Sequence, residues 1–369
     1  MNILHLYSDE NWTGPAESVL NLLKELNKRG HGAFFAGDIK RRGRLLPRVR
    51  EAGIPVIESL NLDRKSHPLN YLRNLINLLR VLKKEKIDII HTHFRYDHIL
   101  ASFVKKRVLL FHTLHRADLD KVNFQERFIL RHKTDHIITI SKVIREKVIR
   151  NLGIEPKRIS TIYGAVDSNK FNPQLSGDKI REEFEINKDT PVVGMIAPLQ
   201  PYRNHLLFLR AIPRIKKEFP TVKFFLIGSI GSYQRVLKEE IERLRISGSI
   251  IFIGYRDEDY PQVLASLDLE VFLVPGSDGS CRAVLEALAM AKPVVSAKVG
   301  PIPEIMENGR EGILIDDPFD TTSLAKAIIR MLKDKELAGR IGEAGRKLME
   351  RFTPERRTTR IEKIYRSLI

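Results

Sequence analysis

Cysteine is almost absent: of 369 residues only Cys281 is one. An internal disulfide needs two and a cysteine-based zinc cluster needs more, so both are excluded, and a reducing compartment suits the chain. Long apolar runs are missing as well. No stretch reaches the roughly 18 residues that a membrane-spanning helix requires. The opening segment, MNILHLYSDE, has neither a basic leader region nor an apolar stretch long enough for a secretory signal, so a cytoplasmic location is the expectation. Low-complexity tracts and short-period repeats are lacking. Helix-turn-helix, zinc-finger and RNA-recognition signatures are lacking too, which leaves net charge as the only support for a nucleic-acid partner. That charge is +17, and acidic residues are the ones in deficit.

The charge is unevenly spread. Residues 1–173 hold 32 Lys and Arg against 18 Asp and Glu, whereas residues 174–369 hold 31 against 28. A basic first half suits an anionic membrane surface or a phosphorylated substrate, or is simply a set of Lys-rich solvated helices. At 43% hydrophobic content, with 22 Gly and 18 Pro, the chain is neither disordered nor fibrous. Its length favours two domains.

Short apolar runs alternate with helical patterns from the start. NILHLYS, GAFFAG, IPVIES, IDIIHTH, RVLLFHTLH, HIITIS and RISTIY form one series, ending at Tyr163. A turn-rich loop follows, and then TPVVGMIA, VKFFLIG, IIFIG, LEVFLV and KPVVSA form a second. Strand–helix alternation of this kind argues a parallel sheet covered on both faces. The expected fold class is α/β, with two parallel-sheet domains. Residues 1–172 would form the first and 173–352 the second. A last helix, signalled by Thr353-Pro354-Glu355, would cover 353–369 and return to the first domain. In open parallel sheets ligands bind beyond the carboxyl ends of strands, so two such domains facing each other would enclose a cleft.

One strand–helix junction stands out. VFLV leads into PGSDGS and then a helical stretch from about Cys281 to Met290. Ser280 suits the N-cap position. Small residues here let first-turn amides approach an anion, most often a phosphate. Arg282 in the first turn opposes the helix dipole unless an anion pairs with it. Glu286, one turn on, could accept from a ribose diol. A tight turn with a solvated Glu286 is the bland alternative. Elsewhere His91 and His93 alternate onto one face of a strand, as a metal pair would, yet no third ligand stands out. No Asp-x-Asp triplet is singled out as a holder of a metal-bound nucleotide. The segment Leu69–Lys84 places Leu69, Leu72, Leu75, Ile76, Leu79 and Leu82 on one stripe, which reads as core-facing. With the basic run Lys40, Arg41, Arg42, Arg44, Arg48 and Arg50 it would also suit peripheral binding to an anionic bilayer.

These blocks, taken together, resemble the family 4 glycosyltransferases. Asp278, seven residues, Glu286 and then ALAMAKPVV resemble the family's nucleotide-sugar motif. VGPIPEIMENGREGILI resembles its next block, TGPAES its glycine loop after the first strand, TLH its active-site histidine segment, and IYGAVDSNKFNP its interdomain linker. The resemblance implies a GT-B fold, two facing Rossmann-like domains with a cleft. It implies a retaining, metal-independent transfer from a nucleotide diphosphate sugar to an acceptor, with no cofactor. His115, Arg203, Arg282 and Asp278 would be catalytic. Gly279, Ser280, Cys281 and Glu286 would hold the donor, and Thr13 and Gly14 would form an acceptor or phosphate loop. A glycan or lipid-linked acceptor, of lipopolysaccharide type, fits the basic first half. Departures are Asp278 for Glu, Thr13 and Ala291 for Gly, and Pro198 where the family has an Arg five residues before a second cation, here Arg203. Arg282 is the expected substitute for that charge. A sugar-nucleotide epimerase, or a sugar-nucleotide-binding protein without turnover, is the competing reading.

Overall fold

Residues 1–40, 43–63, 68–115, 122–274 and 281–369 are described by the structure, a computed structural model. They form two compact units. Met1–Ala165 and Pro354–Ile369 make the first, and the described residues between 166 and 353 make the second.

The first unit begins β1 (Asn2–Tyr7), α1 (Gly14–Lys28), β2 (Gly32–Gly37), α2 (Leu45–Glu51), α3 (Pro68–Lys84), β3 (Ile89–Thr92) and α4 (Arg95–Ser102). It continues β4 (Leu109–Leu114), α5 (Phe124–His132), β5 (His136–Thr139), α6 (Lys142–Leu152) and β6 (Ile159–Thr161). The second unit runs α7 (Asp178–Glu183), β7 (Val192–Ile196), α8 (His205–Glu218), β8 (Lys223–Ile227), α9 (Tyr233–Arg243), β9 (Ile250–Gly254), α10 (Tyr260–Ala265) and β10 (Leu269–Phe272). It closes with α11 (Arg282–Ala289), β11 (Val294–Ala297), α12 (Ile302–Ile305), β12 (Ile313–Ile315), α13 (Thr321–Lys333) and α14 (Lys335–Met349). Helix α15 (Pro354–Arg366) then belongs to the first unit.

Each unit holds one six-stranded sheet whose pairings are all parallel. The orders are β2-β1-β3-β4-β5-β6 and β12-β11-β10-β7-β8-β9. Strand order reverses between β1 and β3 in the first sheet and between β7 and β10 in the second. At such a switch point adjacent strands send their loops in opposite directions and open a crevice at their carboxyl ends.

Local chemistry explains the elements. Thr13 caps α1 by accepting from the Ala16 amide (3.4 Å), Pro15 sits in its first turn, and Val19, Leu20, Leu22, Leu23 and Leu26 are buried. Ser141 caps α6, which Gly153 ends in the left-handed conformation (φ 64°). Strands are mostly apolar because helices cover both faces, with buried polar residues such as His5, His91 and Glu270 among them. Ile3, Ile89 and Phe111 pack with α1 and α15 on one side, while Leu4, Leu6, Ile90 and Leu110 pack with α3 and α4 on the other. Ile361 and Tyr365 of α15 have no exposure. Glu362 ties that helix to the end of α1, accepting from Arg29 (3.0 Å) and His31 (3.0 Å).

Three expectations fail locally. IPVIES forms no strand; Val56 makes a single bridge to Phe35. Strand β12 was not anticipated, since three residues between turns are too few to show a period. The α3 stripe is split: Leu69, Leu72 and Ile76 are exposed (71, 55 and 44%), and the buried face is Asn74, Leu78, Val81 and Leu82. A polar residue seeds that face. Asn74 donates to the Asn61 carbonyl (2.6 Å) and accepts from its amide (3.1 Å), a bonding that no hydrophobicity pattern registers.

Candidate active site

In the second unit the loops after β7 and β10 flank the switch point. The loop after β7 carries Pro198, exposed, and then the short turn Pro201–Arg203, which leaves the Arg203 side chain buried. Asn204 follows in the left-handed region (φ 61°) and α8 starts at His205. Gly228, at the end of β8, holds this loop close: a Cβ there would lie 2.3 Å from the Ala197 carbonyl oxygen. Burial, and then the Arg203 guanidinium, push the His205 imidazole down to about 4, so it stays neutral beside that cation.

The loop after β10 contains Asp278, Gly279 and Ser280, which lie outside the described residues. The helix that follows starts one residue later than the sequence suggests. Cys281, buried, occupies the cap position with φ 50°, a left-handed conformation that non-glycine residues adopt at a cost. Glu286 is not solvated. It is buried, and it accepts from the Arg282 Nε (2.5 Å) and from the Tyr260 hydroxyl (2.7 Å). Arg282 therefore has a partner that the sequence reading did not foresee, and its charge is shared with Glu286. Beside them lies Glu270 of β10, fully buried, with no hydrogen-bond partner for either oxygen among the described residues. Burial, and then the Glu286 carboxylate, raise the Glu270 carboxyl well above its ordinary range, which favours its protonated form. Burial chiefly, and the same carboxylate, raise the Tyr260 phenol, which remains a donor.

In the first unit Thr13 and Gly14 open α1 just after β1, with the Thr13 hydroxyl also 3.4 Å from that of Tyr7. His115 follows β4. It joins a cluster that the sequence disclosed only in part. His5 of β1 lies in register with His91 of β3, and His93 follows that strand. His5 Nδ1 is 3.1 Å from His93 Nε2, and His93 Nδ1 is 3.1 Å from His115 Nε2. His91 bonds Tyr365 of α15 (2.5 Å) and Thr113 (2.7 Å). The third ligand missing from the sequence reading thus exists, since ring nitrogens of His5, His91 and His93 lie within 4.8 Å of one another. Five of the six nitrogens of these rings are already engaged, however; among the described residues only His5 Nε2 has no partner. Both of His91's have hydroxyl partners, and a buried cation, Arg357, depresses the pKa of His5, His91 and His115 beyond the effect of burial. His5 and His115 fall to about 3 and His93 well below its ordinary value, each chiefly through burial, so all three rings are neutral at pH 7.

Two Asp-x-Asp triplets do occur in the chain. Asp118-Leu119-Asp120 lies outside the described residues. In Asp257-Glu258-Asp259, Asp259 accepts from Arg256 (2.6 Å), a tie within the loop ahead of α10.

Two parallel six-stranded sheets, each with a switch point and each in its own compact unit, make this a two-domain α/β protein. Two family models divide the chain between them: Glycosyltransferase Family 4 matches residues 12–170, and Glycosyl transferases group 1 matches residues 176–348. The chain belongs to these glycosyltransferases. It is 24% identical over 93% of its length, and 91% of the relative's, to N-acetyl-alpha-D-glucosaminyl L-malate synthase of Bacillus anthracis. It is 26% identical over 81%, and 80% of the relative, to UDP-Gal:alpha-D-GlcNAc-diphosphoundecaprenol alpha-1,3-galactosyltransferase of Escherichia coli. Among solved structures, a Rickettsia africae glycosyltransferase superposes with TM-score 0.86 at 20% identity, covering 99% of this chain and 98% of that one. Anabaena HepE in complex with UDP superposes with TM-score 0.84 at 21% identity over the whole of both chains.

Proposed function

We propose that this glycosyltransferase moves a sugar, with retention of anomeric configuration, from a nucleotide diphosphate donor held by the second unit to a glycan or lipid-linked acceptor bound by the first. The observation that carries the reading is the buried Glu286 on α11, held by Tyr260 and Arg282 in the junction that follows β10. Its carboxylate is oriented to accept from a ribose diol with its remaining lone pairs. Cleavage of the donor leaves charge on phosphate oxygens. Arg203 and the amides heading α11 would stabilise that charge as it develops, with no metal required. Arg282 both orients Glu286 and adds positive potential, in place of the cation that Pro198 displaces. Asp278, Gly279, Ser280 and Cys281 would border the sugar and diphosphate, Thr13 and Gly14 the acceptor, and His115 the sugar in transfer. Similar proteins support the donor and acceptor classes: Anabaena HepE was solved with UDP-glucose, and the Escherichia coli relative is named for a diphosphoundecaprenol acceptor.

Exposed Leu69, Leu72 and Ile76 on α3, with Arg73, Arg80, Lys83 and Lys84 on the same exposed helix, suit peripheral attachment to an anionic bilayer, where a lipid-linked acceptor resides. Among the described residues no helix is long and apolar enough to cross a membrane.

A thermal-shift panel of sugar nucleotides tests the donor. A ligand at 100 times its Kd adds about 2.7 kcal/mol to the folded state, a shift readily seen. Uridine-based donors are expected to raise Tm, and release of nucleotide together with a glycosylated product separates transfer from epimerisation or mere binding. No response to any sugar nucleotide would refute the proposal.

A further inference from the structure

Three imidazoles in series, His5, His93 and His115, link the interior of the first sheet to the carboxyl end of β4. A neutral imidazole carries one N–H and one bare nitrogen. In a chain joined His5 Nδ1 to His93 Nε2 and His93 Nδ1 to His115 Nε2, fixing one proton therefore fixes the others. Only two states exist. Either every N–H points toward His115, leaving a bare Nε2 on His5 and an N–H at His115 Nδ1, or every one points the other way.

The two ends decide between them. His5 has no exposure, and its Nε2 has no partner among the described residues. An orphaned buried N–H costs more than an orphaned lone pair. The nearby cation is Arg357, whose guanidinium has a buried Nε that likewise lacks an acceptor among the described residues. The positive charge of Arg357 acts on His5, and a ring presenting a lone pair tolerates it better than one presenting an N–H. His115 retains 9% exposure, and its Nδ1 has no partner among the described residues, so an N–H there can reach solvent or substrate.

We propose that His5 and His93 are positioning residues that lock His115 into its Nδ1–H form, making it a neutral hydrogen-bond donor to an oxygen of the substrate rather than a base. The lock is a property of the cluster itself. Its use in sugar transfer rests on the function proposed above.

Nitrogen-15 labelling of the histidines, with two-bond proton–nitrogen correlation at neutral pH, reads which nitrogen of each ring bears the proton. The His115 signal is assigned by its loss in His115→Gln. The expected result is a proton on Nδ1 of His115, Nδ1 of His93 and Nδ1 of His5. A proton on Nε2 of His115, or a charged ring, overturns the proposal, and this holds on the wild-type protein even if variants fail to fold. In His93→Phe the His115 ring should pass to a mixture of tautomers and kcat should drop ~10–100-fold, as is typical when a histidine's orienting partner is removed. His93→Asn, which keeps a donor near the Nδ1 position, should restore most of both. Equal kcat in His93→Phe and wild type would overturn the positioning role. If the Nδ1–H signal is present but His115→Gln turns over normally, the substrate-facing role of His115 falls while the tautomer lock stands.

Discussion

Glu270 is a carboxylic acid whose buried surroundings favour its protonated form. Its folded pKa is raised, so between the ordinary carboxylate range and that raised value the folded state binds a proton that the unfolded chain has released. Stability is then fully present at low pH and lost as pH rises, at about 1.4 kcal/mol per unit of difference. Glu270→Met removes the burden, so the variant should be more stable than wild type at pH 8 and the gain should shrink toward pH 4.5, as urea titrations at several pH values would show. Arg203 is the opposite kind of residue, a cation to which the proposed function gives a part in the reaction. Arg203→Ala should lower kcat ~10²–10³-fold with the fold intact, the typical loss for one preorganised stabilising group. Arg282→Ala should act more on donor KM, because it releases Glu286. Steady-state kinetics with a matched donor separates the two, and an unchanged kcat in Arg203→Ala would remove it from the site. Neither Glu270 nor Tyr260 was legible as a site residue. Each sits in an ordinary apolar or loop segment, and only folding brings them to Glu286. Glu286 and Arg203 were read from motif spacing along the chain, which folding leaves unchanged.

Elements were read well wherever apolar residues alone define them. Every strand of the first sheet was recognisable as an apolar run, the one false run being that around Val56, and α1 showed its buried face in the spacing of its leucines and valine. Failure came where a polar group does the organising. Asn74 turns α3 by its bonds to Asn61 and leaves three apolar side chains exposed. His5 was passed over because its nearest chemical kin, His91, is on a strand far along the chain that pairs with β1 only in the sheet. The exposed α3 face predicts a measurable attachment. Leu69→Ser, Leu72→Ser and Ile76→Ser together should abolish co-sedimentation with anionic vesicles while leaving thermal stability near wild type, since exposed side chains contribute little to the core. Undiminished sedimentation of the triple variant would place attachment elsewhere.

The whole molecule divides its ionisable interior unequally. His5, His91, His93, His98, His115 and His136, all in the first unit, have lowered pKa values, burial being the main cause in each, against His205 alone in the second unit among the described histidines. The unfolded chain would take up protons on these rings below about 6.5, and the folded first unit resists doing so down to about 3 to 4 for those with a stated value. Stability from these groups is present above the unfolded value and is lost as pH falls through that window. Hydrogen exchange at pH 5 against pH 7, corrected for intrinsic rates, should therefore show β1, β3 and β4 losing protection ahead of β7 and β8. The reverse order would mean that the histidines are not neutral when folded.

The first unit is interrupted: it uses Met1–Ala165, and then Pro354–Ile369 after the whole of the second. On the ribosome the second unit is thus finished while the first still lacks Ile361, Tyr365 and Arg357. Until those three emerge, the imidazoles are open to water and free to take up protons. Synthesis of the final helix is the event that dries them, and the order of translation thereby becomes an order of assembly.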